Sequence, residues 1–409
     1  MLLALLALAP VAGCRDSTPE PTENSASSSA PLKREGSERV VSLSSPAHLR
    51  IDGTRFVAPG GATFLWRGIT AFRLLEYVAR GDEGTVRAYF AWARDQQLTV
   101  VRVLAMGSGF MRLSPEQGRA ALPALLTLAR EYGLYVEVVA LANTRDMPVD
   151  VDAHIAAIGQ ILVSHSNALL ELANEPIHPT QAPDVGKADV LQRLAARVPE
   201  DVPVAFGSIE TDERFAGGDY VTWHVPRETR PDGWGHVLAV APGAALLRRF
   251  AKPVVNDEPI GAGPRDEPGR RDNRPARFRA ASLMTRLTGM GATFHYEGGL
   301  QARIPEGAEL ACFAAWREAW TLLPPDVETR GTFAVAAAAD AVVQDFDRAA
   351  VYGVFERTSE RRGWILVIGA GDPAVKLAPG WAITGTLAPE GVRLLSVERS
   401  TAARSRTAP

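Results

Sequence analysis

Cysteine is almost absent from this chain. Only Cys14 and Cys312 occur among the 409 residues, too few and too far apart for a disulfide framework. Cys312 lies in an apolar run, so we expect a buried and unreactive thiol there. The sequence also contains no His/Cys/Asp cluster with zinc spacing, no phosphate-binding glycine-rich loop and no Gly-x-Ser-x-Gly elbow. Metal, nucleotide and serine-hydrolase mechanisms are therefore unsupported, and we expect neither a metal nor another cofactor.

Lysine is scarce as well. It supplies 4 of the 44 basic residues, which leaves 44 − 4 = 40 arginines, a bias more typical of a GC-rich genome than of arginine chemistry. The net charge is −3 and the basic residues form no concentrated stripe, so we do not expect a nucleic-acid partner. The apolar fraction of 46% is ordinary for a globular protein and provides ample material for a large core.

Long hydrophobic runs are missing except near the N-terminus. Residues 2–12 are apolar, too short to span a bilayer, and followed by small residues, an order typical of a signal peptide, although no basic segment precedes them. The ending Val11-Ala12-Gly13-Cys14 resembles a bacterial lipoprotein box, in which the cysteine is lipidated and becomes the mature N-terminus. An ordinary cleaved signal is the alternative. Both interpretations predict export to the cell envelope, and the first adds a lipid anchor as the only membrane contact.

Composition divides the rest of the chain into four parts. Residues 15–45 are rich in Ser, Pro, Thr and Glu and poor in bulky apolar residues, so we expect a disordered linker. The body from 48 to 323 alternates short apolar runs with amphipathic stretches. Residues 326–400 are strand-rich and helix-poor, which predicts a small antiparallel β domain. A polar tail, 401–409, follows.

The body begins with a predicted hairpin that turns at Asp52-Gly53. Eight apolar runs then alternate with stretches of helical periodicity, one of which carries Ser114 as N-cap, Pro115 and the capping-box partner Gln117. Eight strand–helix units over about 235 residues predict an α/β fold of the (β/α)8, or TIM, barrel type. A doubly wound open sheet is the competing architecture. The candidate strands occupy 64–71, 98–105, 134–142, 167–173, 202–207, 219–225, 253–257 and 291–296.

Carboxylates follow two of these strands, at the end where a barrel carries its active residues. The fourth predicted strand ends in Asn174-Glu175-Pro176, and the seventh ends in Asp257-Glu258-Pro259. The two glutamates are 83 residues apart, or about 28 per strand–helix unit, which suits one barrel repeat. Both are therefore candidate catalytic residues.

This arrangement resembles the retaining barrel glycoside hydrolases related to cellulases and β-mannanases. The resemblance covers about residues 48–323 and is carried by Arg102, Asn174-Glu175-Pro176, His224 and Glu258. It implies hydrolysis of an oligo- or polysaccharide by double displacement, with Glu175 as general acid/base and Glu258 as nucleophile. Glu175 would then have a raised pKa, whereas Glu258 would stay ionised.

Further roles follow from the same resemblance. Asn174 would bind the sugar 2-hydroxyl, Arg102 would keep the nucleophile ionised, and His224 would face the site. Related enzymes place a tyrosine two residues after this histidine, whereas this chain has Pro226, which leaves the hydroxyl that orients the nucleophile unassigned. Asp257 is the competing nucleophile, but strand alternation should point it away from its neighbour.

The eighth strand ends in Phe294-His295-Tyr296-Glu297. We expect Tyr296 to stack on the sugar or to supply the missing hydroxyl, and Glu297 to contact substrate or join an ion pair. Trp223 is a further candidate substrate contact. Candidates for the walls of the site are Trp66, Phe72, Phe110 and Trp234, although an aromatic residue of this kind more often packs in the core. Arg73 and His178 are weaker candidates.

Two other functions remain open. The first is a surface-anchored carbohydrate-binding barrel without catalysis, which the missing tyrosine favours. The second is a barrel enzyme of unrelated chemistry. In each case we expect a monomer. The sugar and its linkage depend on loop shapes that the sequence does not predict.

Overall fold

The computed structural model describes residues 48–323, apart from 211 and 228–232, and the C-terminal strands at 331–335, 341–343, 349–356, 362–369, 375–377, 380–387 and 392–399. These residues belong to one compact unit that spans 43–409. The predicted signal sequence, the linker, the polar tail and Cys14 lie outside the described residues.

The described chain begins with the predicted hairpin, and a parallel sheet follows it. Strands β1 (Arg50–Asp52) and β2 (Arg55–Val57) pair antiparallel, with Gly53 at φ 58° in their turn. Eight parallel strands then form the central sheet, and a small parallel pair, β10 (Gly261–Ala262) and β11 (Arg271–Asp272), precedes the last of them. The eight are β3 (Arg67–Thr70), β4 (Val100–Leu104), β5 (Tyr135–Leu141), β6 (Ala168–Ala173), β7 (Val204–Ala205), β8 (Val221–Thr222), β9 (Val254–Asn256) and β12 (Gly291–Phe294).

The strand order identifies a barrel rather than an open sheet. The order β7-β6-β5-β4-β3-β12-β9-β8 puts the first and eighth strands side by side and leaves the fifth and sixth at the two edges. Backbone hydrogen bonds join those edges: the Asp219 amide donates to the Val204 carbonyl at 2.6 Å, and the Ile209 amide donates to the Thr222 carbonyl at 3.1 Å. Gly218 permits this approach, because a Cβ there would lie 2.2 Å from the Val204 oxygen. The predicted barrel fold is therefore confirmed, and the open sheet is excluded.

Helices cover the outside of the barrel. The predicted N-cap Ser114 accepts from the Gln117 amide, and both halves of the capping box are present. The fifth barrel strand departs from the prediction, since a 3-10 helix, Glu213–Gly217, follows it in place of an α-helix. The α-helices are α1 (Leu74–Ala79), α2 (Glu83–Asp95), α3 (Pro115–Glu131), α4 (Val151–Val163), α5 (Ala188–Ala195), α6 (Gly235–Leu238), α7 (Gly243–Phe250), α8 (Pro275–Thr288), α9 (Glu297–Leu300) and α10 (Gly307–Leu322).

Aromatic rings close the N-terminal end of the barrel. Phe56 of the hairpin packs 5.2 Å from the Trp66 ring and 5.4 Å from the Tyr220 ring, centroid to centroid. These rings form a buried cluster with the first residues of the barrel strands, among them Val100 and Tyr135. Trp66 is therefore core packing, the alternative favoured for it, and it does not line the site, because it lies at the end opposite to the strand carboxyl termini.

The C-terminal part is a β structure, as predicted. Its five-stranded antiparallel sheet has the order β13-β15-β16-β19-β18, and β14 pairs with β17. The predicted strands are β15, β16 and β19, while the other four lie in segments with weaker apolar patterns. The bounds are β13 (Gly331–Val335), β14 (Ala341–Val343), β15 (Ala349–Glu356), β16 (Arg362–Gly369), β17 (Val375–Leu377), β18 (Trp381–Leu387) and β19 (Val392–Arg399).

Cys312 is fully buried in α10, and burial raises the pKa of its thiol, as expected of an unreactive cysteine.

In the part of the chain that the structure describes, no helix combines the length and apolar character needed to cross a membrane.

Helix α3 packs so closely on the barrel that one glycine is obligatory. A Cβ on Gly118 would lie 1.8 Å from the backbone oxygen of Ala105, which follows β4. We expect Gly118→Ala to lower the free energy of unfolding by about 1–3 kcal/mol or more, because backbone must move to admit the methyl group. The matched control is Gly84→Ala in α2, where a Cβ would have its nearest neighbour 3.9 Å away. Because alanine has the higher helix propensity, this variant should raise the free energy of unfolding by up to about 1 kcal/mol. Urea unfolding of both variants checks this, and equal effects would contradict it.

Candidate active site at the mouth of the barrel

A fully buried arginine, Arg102, stands at the centre of the site. It is the third residue of β4, and its side chain extends along the inside of the barrel. Its Nε and Nη2 donate to Glu171 Oε2 at 3.0 and 2.8 Å, and Nη1 donates to Glu258 Oε2 at 2.8 Å. Nη2 also donates to Asn174 Oδ1 at 2.9 Å. One guanidinium therefore joins the ends of the fourth and seventh barrel strands.

Glu258 follows β9 and is 8% exposed, with both carboxylate oxygens occupied. Oε2 accepts from Arg102, and Oε1 accepts from Arg227 Nη2 at 3.1 Å. Burial would raise the pKa of this carboxyl, but the charges of His224, His295, Arg102 and Arg227 outweigh burial and hold the pKa well below its usual range. Glu258 is therefore ionised, as predicted for this residue.

Asp257 departs from its prediction. Its Oδ2 lies 3.3 Å from Arg102 Nε, and its Oδ1 lies 3.6 Å from His224 Nε2. It therefore faces the same interior as Glu258, whereas strand alternation predicted opposite directions. Val255 of β9 faces the barrel interior with Trp66 and Tyr220, so strand alternation turns Asp257 inward as well. Glu258 also faces inward because β9 ends at Asn256 and Glu258 lies on the loop beyond the pleated strand.

Glu175 approaches Glu258 from the other side of the mouth, with His224 between them. His224 Nδ1 lies 3.3 Å from Glu175 Oε1, and its Nε2 lies 3.9 Å from Glu258 Oε2. An oxygen of Glu175 and an oxygen of Glu258 come within 4.8 Å of each other. Carboxyl groups about 5–5.5 Å apart are typical of retaining glycosidases, whereas inverting enzymes keep them further apart.

The backbone of Glu175 adopts an unusual conformation. Its φ of 43° lies in the left-handed region, which costs a residue with a side chain about 1–3 kcal/mol. Gly207, after β7, makes room for this turn, since a Cβ there would lie 2.4 Å from the Ala173 oxygen and 2.7 Å from Pro176 Cγ. Close packing of two neighbouring loops therefore fixes the position of the Glu175 carboxylate.

The raised pKa predicted for Glu175 is wrong for the free protein. Burial raises the pKa, but the hydrogen bond with His224 and the charge of that histidine outweigh it, so the pKa lies below its usual value. Burial would lower the pKa of His224, yet the carboxylates of Asp257, Glu258 and Glu175 raise it well above its usual range. The proton of this pair therefore resides on His224.

Two more acids lie deeper in the barrel. Glu137 of β5 accepts from the Tyr220 hydroxyl at 2.9 Å, and Glu171 of β6 pairs with Arg102. Burial and the charges of Asp257 and Glu171 raise the pKa of Glu137 well above its usual range, and burial raises that of Glu171 to about 7 despite the charge of Arg102. Glu137 Oε2, Glu171 Oε1 and both Asp257 oxygens have no hydrogen-bond partner among the described residues.

The same side chains include two sets that could coordinate a metal ion. They are Glu171, His224 and Asp257, and Glu175, His224 and Glu258. Arg102 already lies 2.8–3.3 Å from carboxylates of both sets, and His224 is protonated in this environment. Because cations of the chain compensate these acids, we interpret both sets as ion pairs and hydrogen bonds of one cluster.

Several predicted contacts lie elsewhere. Tyr296 is fully buried, and its hydroxyl bonds with that of Tyr89 at 3.0 Å and with the Arg303 carbonyl, so it neither stacks on a sugar nor orients Glu258. Strand alternation turns the neighbouring His295, and not Tyr296, toward the barrel interior. There the His295 ring forms a hydrogen bond with the Thr70 hydroxyl. Trp223 is buried in the main hydrophobic core and is no substrate contact.

The remaining candidates are divided between the mouth and other places. Phe72 covers the Arg102 guanidinium at 5.4 Å, and Phe110, 39% exposed, lies 6.2 Å beyond it, so this pair lines the mouth. Glu297 pairs with Arg271 at 3.1 Å, as one of its two alternatives predicted. Arg73 bonds Glu76 and Gln301, exposed His178 bonds Thr180, and Trp234 packs against Arg277.

Sequence reasoning missed four residues of the cluster: Glu137, Glu171, Arg227 and His295. A signal existed for the first two, because each is a charged residue inside an apolar strand, the same pattern that marked Arg102. Arg227 carries no such signal, since it lies in a polar loop after β8.

Comparisons with known proteins support the fold. No family model matches the chain, and no curated protein matches it in sequence. A family 5 glycoside hydrolase from Bacteroides vulgatus matches with a TM-score of 0.53 and 14% identity, over 86% of this chain and 93% of that one. A β-glucanase from Saccharophagus degradans, solved with cellotetraose, matches with a TM-score of 0.52 and 10% identity, over 68% and 94%. Another Bacteroides vulgatus protein has a TM-score of 0.55 and 14% identity, over 86% and 82%. At these identities the likeness shows a shared (β/α)8 fold.

The raised pKa of Glu171 has a consequence for stability. Between the ordinary value of 4.5 and about 7, the folded state binds a proton that the unfolded state has released, so stability falls as pH rises through this window. Glu171→Gln removes this loss, which amounts to up to about 3 kcal/mol. We expect the stability of the variant relative to the parent to rise from pH 4.5 to pH 7.5, as measured by urea unfolding. A constant difference would contradict the shift. Glu83→Gln, at an exposed glutamate of α2, serves as control.

Proposed function

We propose that this protein is a glycoside hydrolase that cleaves an oligo- or polysaccharide with retention of configuration. The observation that carries the proposal is the approach of the Glu175 and Glu258 oxygens to within 4.8 Å at the mouth of the barrel. The shared fold with named glycoside hydrolases supports it, although fold alone does not define an activity.

The charge distribution supports Glu258 as the nucleophile. It is ionised, and Arg102 fixes its carboxylate at the mouth. In the first step an oxygen of Glu258 forms a bond to the anomeric carbon, while the bond from that carbon to the leaving oxygen breaks. Asn174 presents its amide beside this carboxylate, and because its Oδ1 accepts from Arg102, its Nδ2 is the group that would bind the sugar 2-hydroxyl.

Glu175 would supply the proton that the leaving oxygen needs. In the free protein this proton resides on His224, 3.3 Å away, and about a third of the Glu175 side chain is exposed to solvent. A bound saccharide would cover that exposed part, and the loss of solvent favours the neutral acid. Substrate binding would therefore move the proton from His224 to Glu175. In the second step Glu175 takes a proton from water, whose oxygen attacks the anomeric carbon and releases Glu258.

A carbohydrate-binding barrel without catalysis is the second candidate. Two observations favour it: Arg227 occupies Glu258 Oε1, and Glu175 is ionised when no substrate is present. Phe110, exposed beside the mouth, would serve either function as a surface for a sugar ring. Hydrolysis of any aryl glycoside by the parent protein separates the two candidates.

The two glutamates should respond differently to a small nucleophile. We expect Glu258→Ala to reduce hydrolysis of an activated aryl glycoside on the order of 10⁴-fold or more. Azide entering the space of the lost carboxylate should restore turnover and give a glycosyl azide of inverted configuration. Glu175→Ala should still form the glycosyl-enzyme, because the leaving group needs no proton, and azide should then give the retained product. NMR of the products measures the configuration.

The control for this experiment is Asp257→Ala, which removes the carboxylate next to Glu258. Azide should not increase the turnover of this variant. If azide restores the Asp257 variant with inversion and leaves the Glu258 variant inactive, the assignment of the nucleophile is wrong. Full activity of both glutamate variants would contradict catalysis by this pair.

We further propose that the protein is exported and anchored through a lipid on Cys14, as the sequence Val11-Ala12-Gly13-Cys14 predicts. Labelling of cells that express the full chain with a radioactive fatty acid should mark the protein and place it in the membrane fraction. Cys14→Ser should abolish the label and release the protein from membranes, whereas Cys312→Ser should leave the label unchanged. An unlabelled, processed parent protein would instead identify an ordinary cleaved signal.

A further inference from the structure

Arg227 is the residue of the mouth that the proposed mechanism leaves without a task. It follows β8, and its Nη2 donates to Glu258 Oε1 at 3.1 Å and to the Glu258 carbonyl at 3.3 Å. Its side chain is 31% exposed, in contrast to the fully buried Arg102 on the other oxygen. Arg227 therefore approaches the carboxylate from the solvent side.

Glu258 does not need a third cation. Arg102 Nη1 lies 2.8 Å from its Oε2, and protonated His224 lies 3.9 Å from the same oxygen. The guanidinium of Arg227 therefore adds positive charge beyond what this carboxylate requires. It also occupies a lone pair of Oε1, the oxygen that Arg102 leaves free, and a lone pair engaged in this way is not available for attack.

Two nitrogens of the Arg227 guanidinium have no hydrogen-bond partner among the described residues. Hydrogen bonds to described residues come only from Nη2, so Nε and Nη1 have no partner within that part of the chain. A planar guanidinium binds a carboxylate or a sulfate through two parallel N–H donors, and each such pair in arginine includes Nη2, so Arg227 offers the pair once Nη2 leaves Glu258. Arg227 therefore combines a partly exposed position, donors that no described residue engages and a charge that Glu258 does not need.

Any sugar that reacts with Glu258 must come close to this guanidinium. The attacked carbon has to lie about 3–3.5 Å from the attacking oxygen. Arg227 is 3.1 Å from Glu258 Oε1, so a substituent on a ring atom next to the anomeric carbon or the ring oxygen falls within its reach. An anionic substituent there would otherwise meet the carboxylates of Glu175, Asp257 and Glu258, and Arg227 is placed to offset that repulsion.

We propose that Arg227 is a specificity residue that binds an anionic substituent, a carboxylate or a sulfate, on the sugar held against Glu258. The substituent draws the guanidinium away from Oε1 and leaves that oxygen free to attack, whereas a neutral sugar leaves the guanidinium in place. This inference rests on the proposed carbohydrate function, and it names the substrate class as acidic saccharides.

Binding measurements test this inference without relying on turnover. Calorimetry would use the full chain carrying Glu175→Gln, with short oligosaccharides of glucuronic, galacturonic and mannuronic acid, their neutral counterparts, and sulfated counterparts. We expect at least one acidic series to bind on the order of 10-fold to 100-fold more tightly than its neutral partner. Adding Arg227→Gln should abolish this preference, and Arg227→Lys should restore only part of it, because lysine keeps the charge and lacks the fork.

The matched control is Arg119→Gln, which removes a guanidinium of similar exposure, 26%, that pairs with Glu116 on the outer surface of α3. It should leave the preference unchanged. The carboxylated and sulfated series together identify which anion the site takes. Equal binding of acidic and neutral sugars, no binding of any acidic sugar, or a preference that survives Arg227→Gln would overturn the inference.

The outcomes for binding and for hydrolysis are independent. Hydrolysis of neutral glycosides at least as fast as that of their acidic counterparts would leave the proposed hydrolase in place and overturn the role of Arg227. Selective binding of acidic sugars by a protein that hydrolyses none of them would support Arg227 and overturn the hydrolase.

Discussion

Four buried carboxylates lie against one guanidinium inside this barrel. Arg102 contacts Glu171 and Glu258 at 2.8 Å, Asp257 at 3.3 Å and Glu137 at 3.6 Å, and the side chains of Arg102, Glu137, Glu171 and Asp257 have no exposed surface. Burying acids in this number is tolerable only if a permanent cation lies among them. A lysine could not replace Arg102, because its three donors share one nitrogen, whereas the four hydrogen bonds of Arg102 come from three nitrogens of a planar group. The geometry of the mouth therefore depends on this side chain.

Depth in the barrel determines which acids keep their protons. Glu137 and Glu171 lie at the inner end, where burial dominates, and their pKa values are raised. Glu175 and Glu258 lie nearer the solvent and His224, and theirs are lowered. The negative charge of the cluster therefore concentrates at the mouth, where a sugar would meet it, although all of these side chains are glutamates with the same intrinsic acidity.

The sequence predicted what depends on local pattern. Apolar runs located all eight barrel strands, and capping residues located the start of α3. The placement of Arg102, Glu175, His224 and Glu258 at one end of a barrel follows from strand ends, which the sequence shows. Side-chain direction was less predictable: Glu258 faces inward beside Asp257 because β9 ends at Asn256, one residue before the predicted end, and Tyr296 faces outward whereas His295 faces inward. The protonation of Glu175 depends on its distance from His224, 49 residues away along the chain, which no local pattern encodes.

The aromatic floor beneath the acids has one more consequence. Phe56, Trp66 and Tyr220 seal the N-terminal end of the barrel, and the Tyr220 hydroxyl bonds Glu137 directly above them. Among the described residues, the rings separate Glu137 from solvent at that end, so water that reaches the inner acids from the mouth passes Glu175 and Glu258 first. A saccharide at the mouth should therefore slow hydrogen-ion exchange at Glu137 and Glu171, and this exchange should recover when the product leaves.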